Sequence, residues 1–113
     1  MNNAFFYIYE TVDFPIQITA VDGSKDILKD CKNLIVSLGQ GSLLLEKDLS
    51  SPDIGLDTDN NIINLHLSQT DTCRFKQGEV IIQVNILYED TERDTSAQGK
   101  INALNNLHRK IMV

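Results

Sequence analysis

The chain reads as all-β: an immunoglobulin-like antiparallel sandwich of about seven to eight short strands, closed by a short C-terminal tail or helix. Three observations predict it. Apolar residues alternate with polar ones along several stretches, most clearly 33–39, 63–68 and 79–88. Clusters of Gly, Asp, Asn, Ser and Pro punctuate these stretches at intervals of roughly 8–12 residues. The chain has 113 residues, of which 42% are hydrophobic and 23% charged. That suits one domain with one core, without repeats, linkers or low-complexity tracts.

Taken in order, Ala4–Tyr9 is aromatic and β-branched and suits a first strand at an edge. Phe14–Val21 sets Phe14, Ile16, Ile18 and Ala20 on one face. Pro15 lacks an N–H, which places it at a strand start or on an edge. Asp22-Gly23-Ser24 is a turn. Lys25–Lys32 is a connector or one helical turn anchored by Ile27 and Leu28. Asn33–Gly39 and Ser42–Lys47 form a hairpin, with Gly39 and Gly41 flanking Gln40 in its tight turn. Asp48–Asp53 is a loop, Ile54–Leu56 a short strand and Asp57–Asn61 a turn.

The stretch from Asn60 to Asp90 carries most of the pattern. Ile63, Leu65 and Leu67 point inward, with Asn64, His66 and Ser68 opposite. Thr70–Gln77 is a connector that buries Phe75 and ends at Gly78. In Glu79–Tyr88 the inward set is Val80, Ile82, Val84, Ile86 and Tyr88. Ile81 and Leu87 break the outward polarity, so this strand is central or has its second face covered. Glu89–Thr95 reads as a charged hairpin loop. A last strand is expected near Ser96–Ala103, followed by a short helix or an extended tail.

Composition narrows function by exclusion. The net charge is −6. Such a balance disfavours nucleic acid and anionic membranes, which call for clustered Lys and Arg. His108, Arg109 and Lys110 make one small basic patch. No apolar run approaches the roughly 20 residues of a membrane span, and no secretion signal is visible, which predicts synthesis and folding in a cytoplasm. Cys31 and Cys73 lie in no CxxC pair and at no zinc-like spacing from His66 or His108, so free thiols are favoured over a disulfide.

The candidate catalytic groups lack partners. His66 has no acid, nucleophile or second histidine fixed beside it by sequence. The carboxylates are scattered over loops, and no pair is made to face a sugar across a cleft. Gly39-Gln40-Gly41-Ser42 lacks the Lys and the helix of a phosphate loop. Asp57, Asp59 and Asn61 imitate the first half of a calcium loop, but Ile62 stands where Gly is needed and Ser68 where the bidentate Glu is needed. Neither a catalytic residue nor a cofactor or metal is predicted.

Leu67, Ser68, Gln69, Thr72, Phe75, Gly78, Val80, Gln83 and Val84 together resemble a phrase of small phage and prophage proteins of Gram-positive bacteria. Leu34–Gly41 and Leu45-Glu46-Lys47 resemble that family's earlier hairpin. Ser96–Val113 resembles its last strand and tail. The similarity runs from about Phe14 onward; Ala4–Tyr9 departs from the family's start. It implies a sandwich similar to the N-terminal domain of phage baseplate upper proteins. It also implies a non-enzymatic virion component of the tail or baseplate that associates with other virion proteins or with itself.

Physical chemistry gives Gln69 and Thr72 the job of capping connector backbone, Phe75 that of plugging the sandwich end, and Gly78 that of allowing positive φ. Gln83 belongs to the same strand–connector–strand unit. Ile81 and Leu87 are the outward apolar candidates for association. The competing expectation is a calcium- or carbohydrate-binding module on the loops Asp57–Asn61 and Glu89–Asp94.

Overall fold

The computed structural model describes residues 4–19, 26–96 and 98–113. The chain forms β1 (Phe5–Tyr7), β2 (Val12–Gln17), β3 (Cys31–Gln40), β4 (Leu43–Asp48), β5 (Ile54–Asp57), β6 (Ile62–Leu67), α1 (Gln69–Thr72), β7 (Gly78–Tyr88), β8 (Arg93–Thr95) and β9 (Gly99–Leu104). One sheet runs β1-β9-β7-β3-β4, with β8 also on β7; the other runs β2-β6-β5. This is an all-β sandwich. Its chain path follows the immunoglobulin order of B, E and D against C′, C, F and G.

The expected architecture needs three amendments. The described residues form nine strands rather than seven or eight. The larger sheet is mixed, because β1 lies parallel to β9. The expected loop Glu89–Thr95 is a turn only to Glu92; Arg93–Thr95 continues as β8 against Leu87–Asn85.

Alternation determines which residues enter the core. Leu34, Val36 and Leu38 from β3 meet Ile63, Leu65 and Leu67 from β6, with Val80, Val84, Ile86 and Tyr88 from β7 beside them. Phe6 joins the sheets, its ring edge-on to Phe14 at 6.1 Å and to Phe75 at 5.6 Å. Such contacts add to the area term of burial. Ile27 and Leu28 are buried under a single helical turn, closed by Asp30 N–H donating to Asp26 O at 2.9 Å. Pro15 lies on the edge strand β2, opposite Asn64. The expected inward Ala20 and the turn Asp22–Ser24 fall outside the described residues.

The β3–β4 turn is centred one residue later than expected. Gln40 pairs with Leu43, and the two loop residues are Gly41 and Ser42. Gly41 has φ 58° and Ser42 does not share the positive sign. A two-residue hairpin with Gly first is the type II′ solution, whose twist matches that of the strands it joins. After β9 the chain does not turn into a helix. Residues 105–113 run as an irregular tail that bends at Leu107, His108 and Lys110.

Candidate interaction surface

The face of the larger sheet turned away from the core is built by register. Ile81 on β7 stands between Gly39 on β3 and Lys100 on β9, and Gly39 is followed by Leu44 on β4. Gly39 contributes no side chain, so Ile81 and Leu44 face each other across a gap. Ile35 stands between Asn85 and Asp48. At the opposite edge, Phe5 and Tyr7 lie beside Asn102 and Leu104, their rings edge-on at 5.8 Å. Leu44 is 57% exposed, Phe5 51% and Tyr7 41%, against a half-buried Ile81. The apolar groups are therefore most accessible at the two lateral edges of the sheet. Leu87, also half-buried, lies between Asn33 and Arg93.

Polar residues on this face are joined across strands. Asn85 Oδ1 accepts from Thr95 Oγ1 at 2.6 Å and from Arg93 Nη2 at 3.0 Å. Gln83 Nε2 donates to Ser96 O at 3.0 Å, where the chain leaves β8. Ser37 Oγ donates to Glu46 Oε2 at 2.7 Å. Beside this last pair, Ile35, Glu46, Lys47, Asp48 and Ser51 line a shallow recess at the free edge of β4.

The connection from β6 to β7 holds the other residues singled out by sequence. It contains one turn of helix, which alternation could not reveal. Ser68 Oγ accepts from Asp71 N–H at 3.2 Å, and Asp71 Oδ2 accepts from Ser68 N–H at 2.9 Å, a reciprocal capping box. Thr72 Oγ1 donates to Glu10 O at 2.8 Å. Gln69 makes a two-bond clamp, its Nε2 donating to Met112 O at 2.9 Å and its Oε1 accepting from Met112 N–H at 2.8 Å. The tail is thereby docked on its own domain. Gln40 grips the Lys76 backbone in the same two-way manner, both bonds at 2.7 Å. Phe75 is 3% exposed, and Gly78 has φ 140°, a conformation essentially reserved for glycine.

One ionic cluster escaped the sequence reading. Lys47 Nζ lies 2.8 Å from Asp53 Oδ2 and 3.2 Å from Asp71 Oδ2. Burial works against the Asp71 carboxylate, but the Ser68 N–H and the Lys47 ammonium outweigh it and hold its pKa below the usual value. Burial likewise opposes the Lys47 charge. Asp53 and Asp71 prevail and push its pKa up. Residues 47, 53 and 71 belong to three separate elements, so no local spacing announces them. The arrangement ties β4, the β4–β5 loop and α1 together.

Other candidates resolve into scaffold. His66 acquires an acidic partner that sequence did not supply: β2 places Asp13 opposite it, with Nδ1 2.7 Å from Oδ1. The pair is open to solvent rather than set in a cleft, with side chains 40% and 77% exposed. Asp57 accepts from Asn60 N–H and Nδ2, Asn61 takes φ 53°, and Asp59 faces Lys29 at 3.6 Å. These are turn contacts. Among the described residues no group of three or more His, Cys, Asp or Glu could hold a metal ion. Cys31 and Cys73 are free thiols. Burial, with Glu89 nearby, pushes the Cys31 thiol pKa up, which suppresses its reactivity. No helix of the described residues is long and apolar enough to cross a membrane. Comparison of the chain with protein-family models, with curated proteins and with solved structures gives no match.

Proposed function

We propose that this chain is a non-enzymatic structural or assembly component of a phage or prophage virion, associated with the tail or baseplate and acting by protein–protein contact. The observation that carries association is the outer face of the larger sheet. Phe5, Tyr7 and Leu44 are left accessible at its two edges. Many polar side chains that could do chemistry are instead engaged within the scaffold: Gln69 and Thr72 on backbone, Asp53 and Asp71 on Lys47. The virion assignment is supported by the resemblance carried by Leu67 to Val84.

The test is compositional. Particles induced from the encoding bacterium are banded by density, and the chain is sought by peptide mass spectrometry. Enrichment with the particles at a fixed ratio to the other tail proteins is expected. Its absence from purified particles refutes the assignment. The rival, a calcium-binding module at Asp57–Asn61, draws no support from carboxylates already engaged by Asn60 and Lys29. A melting temperature raised by millimolar calcium would restore it.

A further inference from the structure

The free edge of β4 and the C-terminal tail are complementary in charge and in apolar pattern. β4 is the last strand of its sheet. Among the described residues, the backbone of Leu43–Lys47 makes no hydrogen bond outside its ladder with β3. Such an edge is a template for another strand. Its outward side chains are Leu44, Glu46 and Asp48, all exposed. Lys47 would ordinarily offset the two acids, but its ammonium is turned away to Asp53 and Asp71. The edge therefore presents acid, with Ile35 flooring the recess beside it.

The tail presents the opposite. Arg109 and Lys110 set two adjacent positive charges in a chain of net charge −6. Leu107 is fully exposed and Ile111 42% exposed. The segment bends at Leu107, His108 and Lys110, and Arg109 Nε donates to Asn106 O at 3.3 Å; straightened into a strand, it would set Leu107, Arg109 and Ile111 on one face by the period of two. Laid along β4 with Arg109 at Glu46, either strand direction brings an apolar neighbour to Leu44. The aliphatic stem of Arg109 can cover Ile35 while its guanidinium meets Glu46 and Asp48.

We propose that residues 107–111 of a second copy of this chain add to the β4 edge, with Arg109 seated in the recess lined by Ile35, Glu46, Lys47, Asp48 and Ser51. The proposal rests on the association reading and names the partner. The Gln69 clamp on Met112 holds the far end of the segment on its own domain, so docking on a second copy requires only that the bends at 107, 108 and 110 open and that Arg109 exchange its bond to Asn106 O for the new carboxylates.

Charge reversal tests it. The full chain is followed by sedimentation velocity from about 1 μM to about 1 mM. Self-association is expected, and Arg109→Glu and Glu46→Arg should each weaken it by at least about tenfold. The double variant E46R/R109E restores the attraction with its sign exchanged and should return to within about threefold of the wild type. A wild type monomeric throughout, single reversals without effect, or a double variant no better than the singles would each overturn the proposal. A second readout needs no reversal of charge. A photo-crosslinking phenylalanine at position 107 should yield a covalent dimer in which its peptide is joined to the tryptic fragment Asn33–Lys47 if the strands are parallel, or to the next fragment, Asp48–Arg74, if they are antiparallel. A dimer joined elsewhere, or only intrachain products, overturns it. A chain present in particles yet monomeric in solution would refute the second-copy contact and leave the virion assignment standing.

Discussion

Replacing Lys47 by Met keeps the aliphatic stem and removes the charge between Asp53 and Asp71. The three side chains are 16%, 27% and 13% exposed for Lys47, Asp53 and Asp71. An exposed ion pair contributes about 0–1 kcal/mol, and breaking a dry one costs about 3–5 kcal/mol. This cluster lies between, so K47M should cost about 2 kcal/mol. An unfolding entropy near 2.1 cal/mol/K per residue over 113 residues makes 1 kcal/mol worth about 4 °C, so Tm should fall about 8 °C at pH 7. The sign with pH follows from the two shifts. Asp71 has a lowered folded pKa, so its stabilisation is present above the unfolded value near 3.8 and is lost as pH falls through the folded one. Lys47 has a raised folded pKa, so its share is present below about 10.5 and is lost as pH rises through the folded value. The wild type and K47M should therefore differ most between about pH 5 and 10 and converge towards both extremes. Thermal melts from pH 2 to 11 provide the assay. A K47M protein within about 2 °C of wild type at pH 7, or a difference that ignores pH, would refute the reasoning.

Phe75→Ala empties a site 3% exposed beneath Phe6 and should cost about 3–5 kcal/mol, a fall in Tm of roughly 12–20 °C; a near-wild-type melt would show that the ring is dispensable. Gly78→Ala meets no steric obstacle, the nearest atom being Gln40 Nε2 at 3.8 Å, so its cost is the strain of φ 140° alone. That amounts to about 1–3 kcal/mol, read in denaturant titrations, and an unchanged midpoint counts against it. Gln69→Ala removes both bonds to Met112 and should raise amide exchange at Met112 by about fivefold, with little change in the global melt. Unaltered exchange at Met112 would mean that the clamp does not hold the tail.

The strands visible in the sequence are those whose two faces meet different surroundings. β3, β6 and β7 alternate because one face packs on the opposing sheet, and period two records this directly. β8 left no such mark: Arg93, Asp94 and Thr95 are all exposed, and only the ladder to Asn85, Ile86 and Leu87 makes them a strand. The single turn of α1 did have a local signal in Ser68 and Asp71, three residues apart, the spacing of a capping box. It was masked because one turn buries too little to generate helical periodicity. Lys47 with Asp53 and Asp71, and Asp13 with His66, are products of register and chain reversal. Each residue alone reads as a polar side chain turned to solvent, and only the sandwich brings them together.

Ile81 and Leu87 suggested a central strand or a second covered face for β7, and the fold distinguishes these. β7 is central, lying between β3 and β9. Its outer face is shaded by neighbouring strands rather than by a further layer: Ile81 and Leu87 are only half-buried, and Leu44, Phe5 and Tyr7 at the sheet edges are more open. Edge strands in natural proteins are commonly protected by charge. Here the protection is lopsided. Drawing Lys47 inward secures β4 to the body of the domain and leaves Glu46 and Asp48 as the charges of the edge. That edge resists another acidic edge and admits a basic, extended segment. The stability of the domain thus depends on a lysine whose charge the free edge does not carry. K47M should loosen the fold while leaving the charge presented at the β4 edge unchanged.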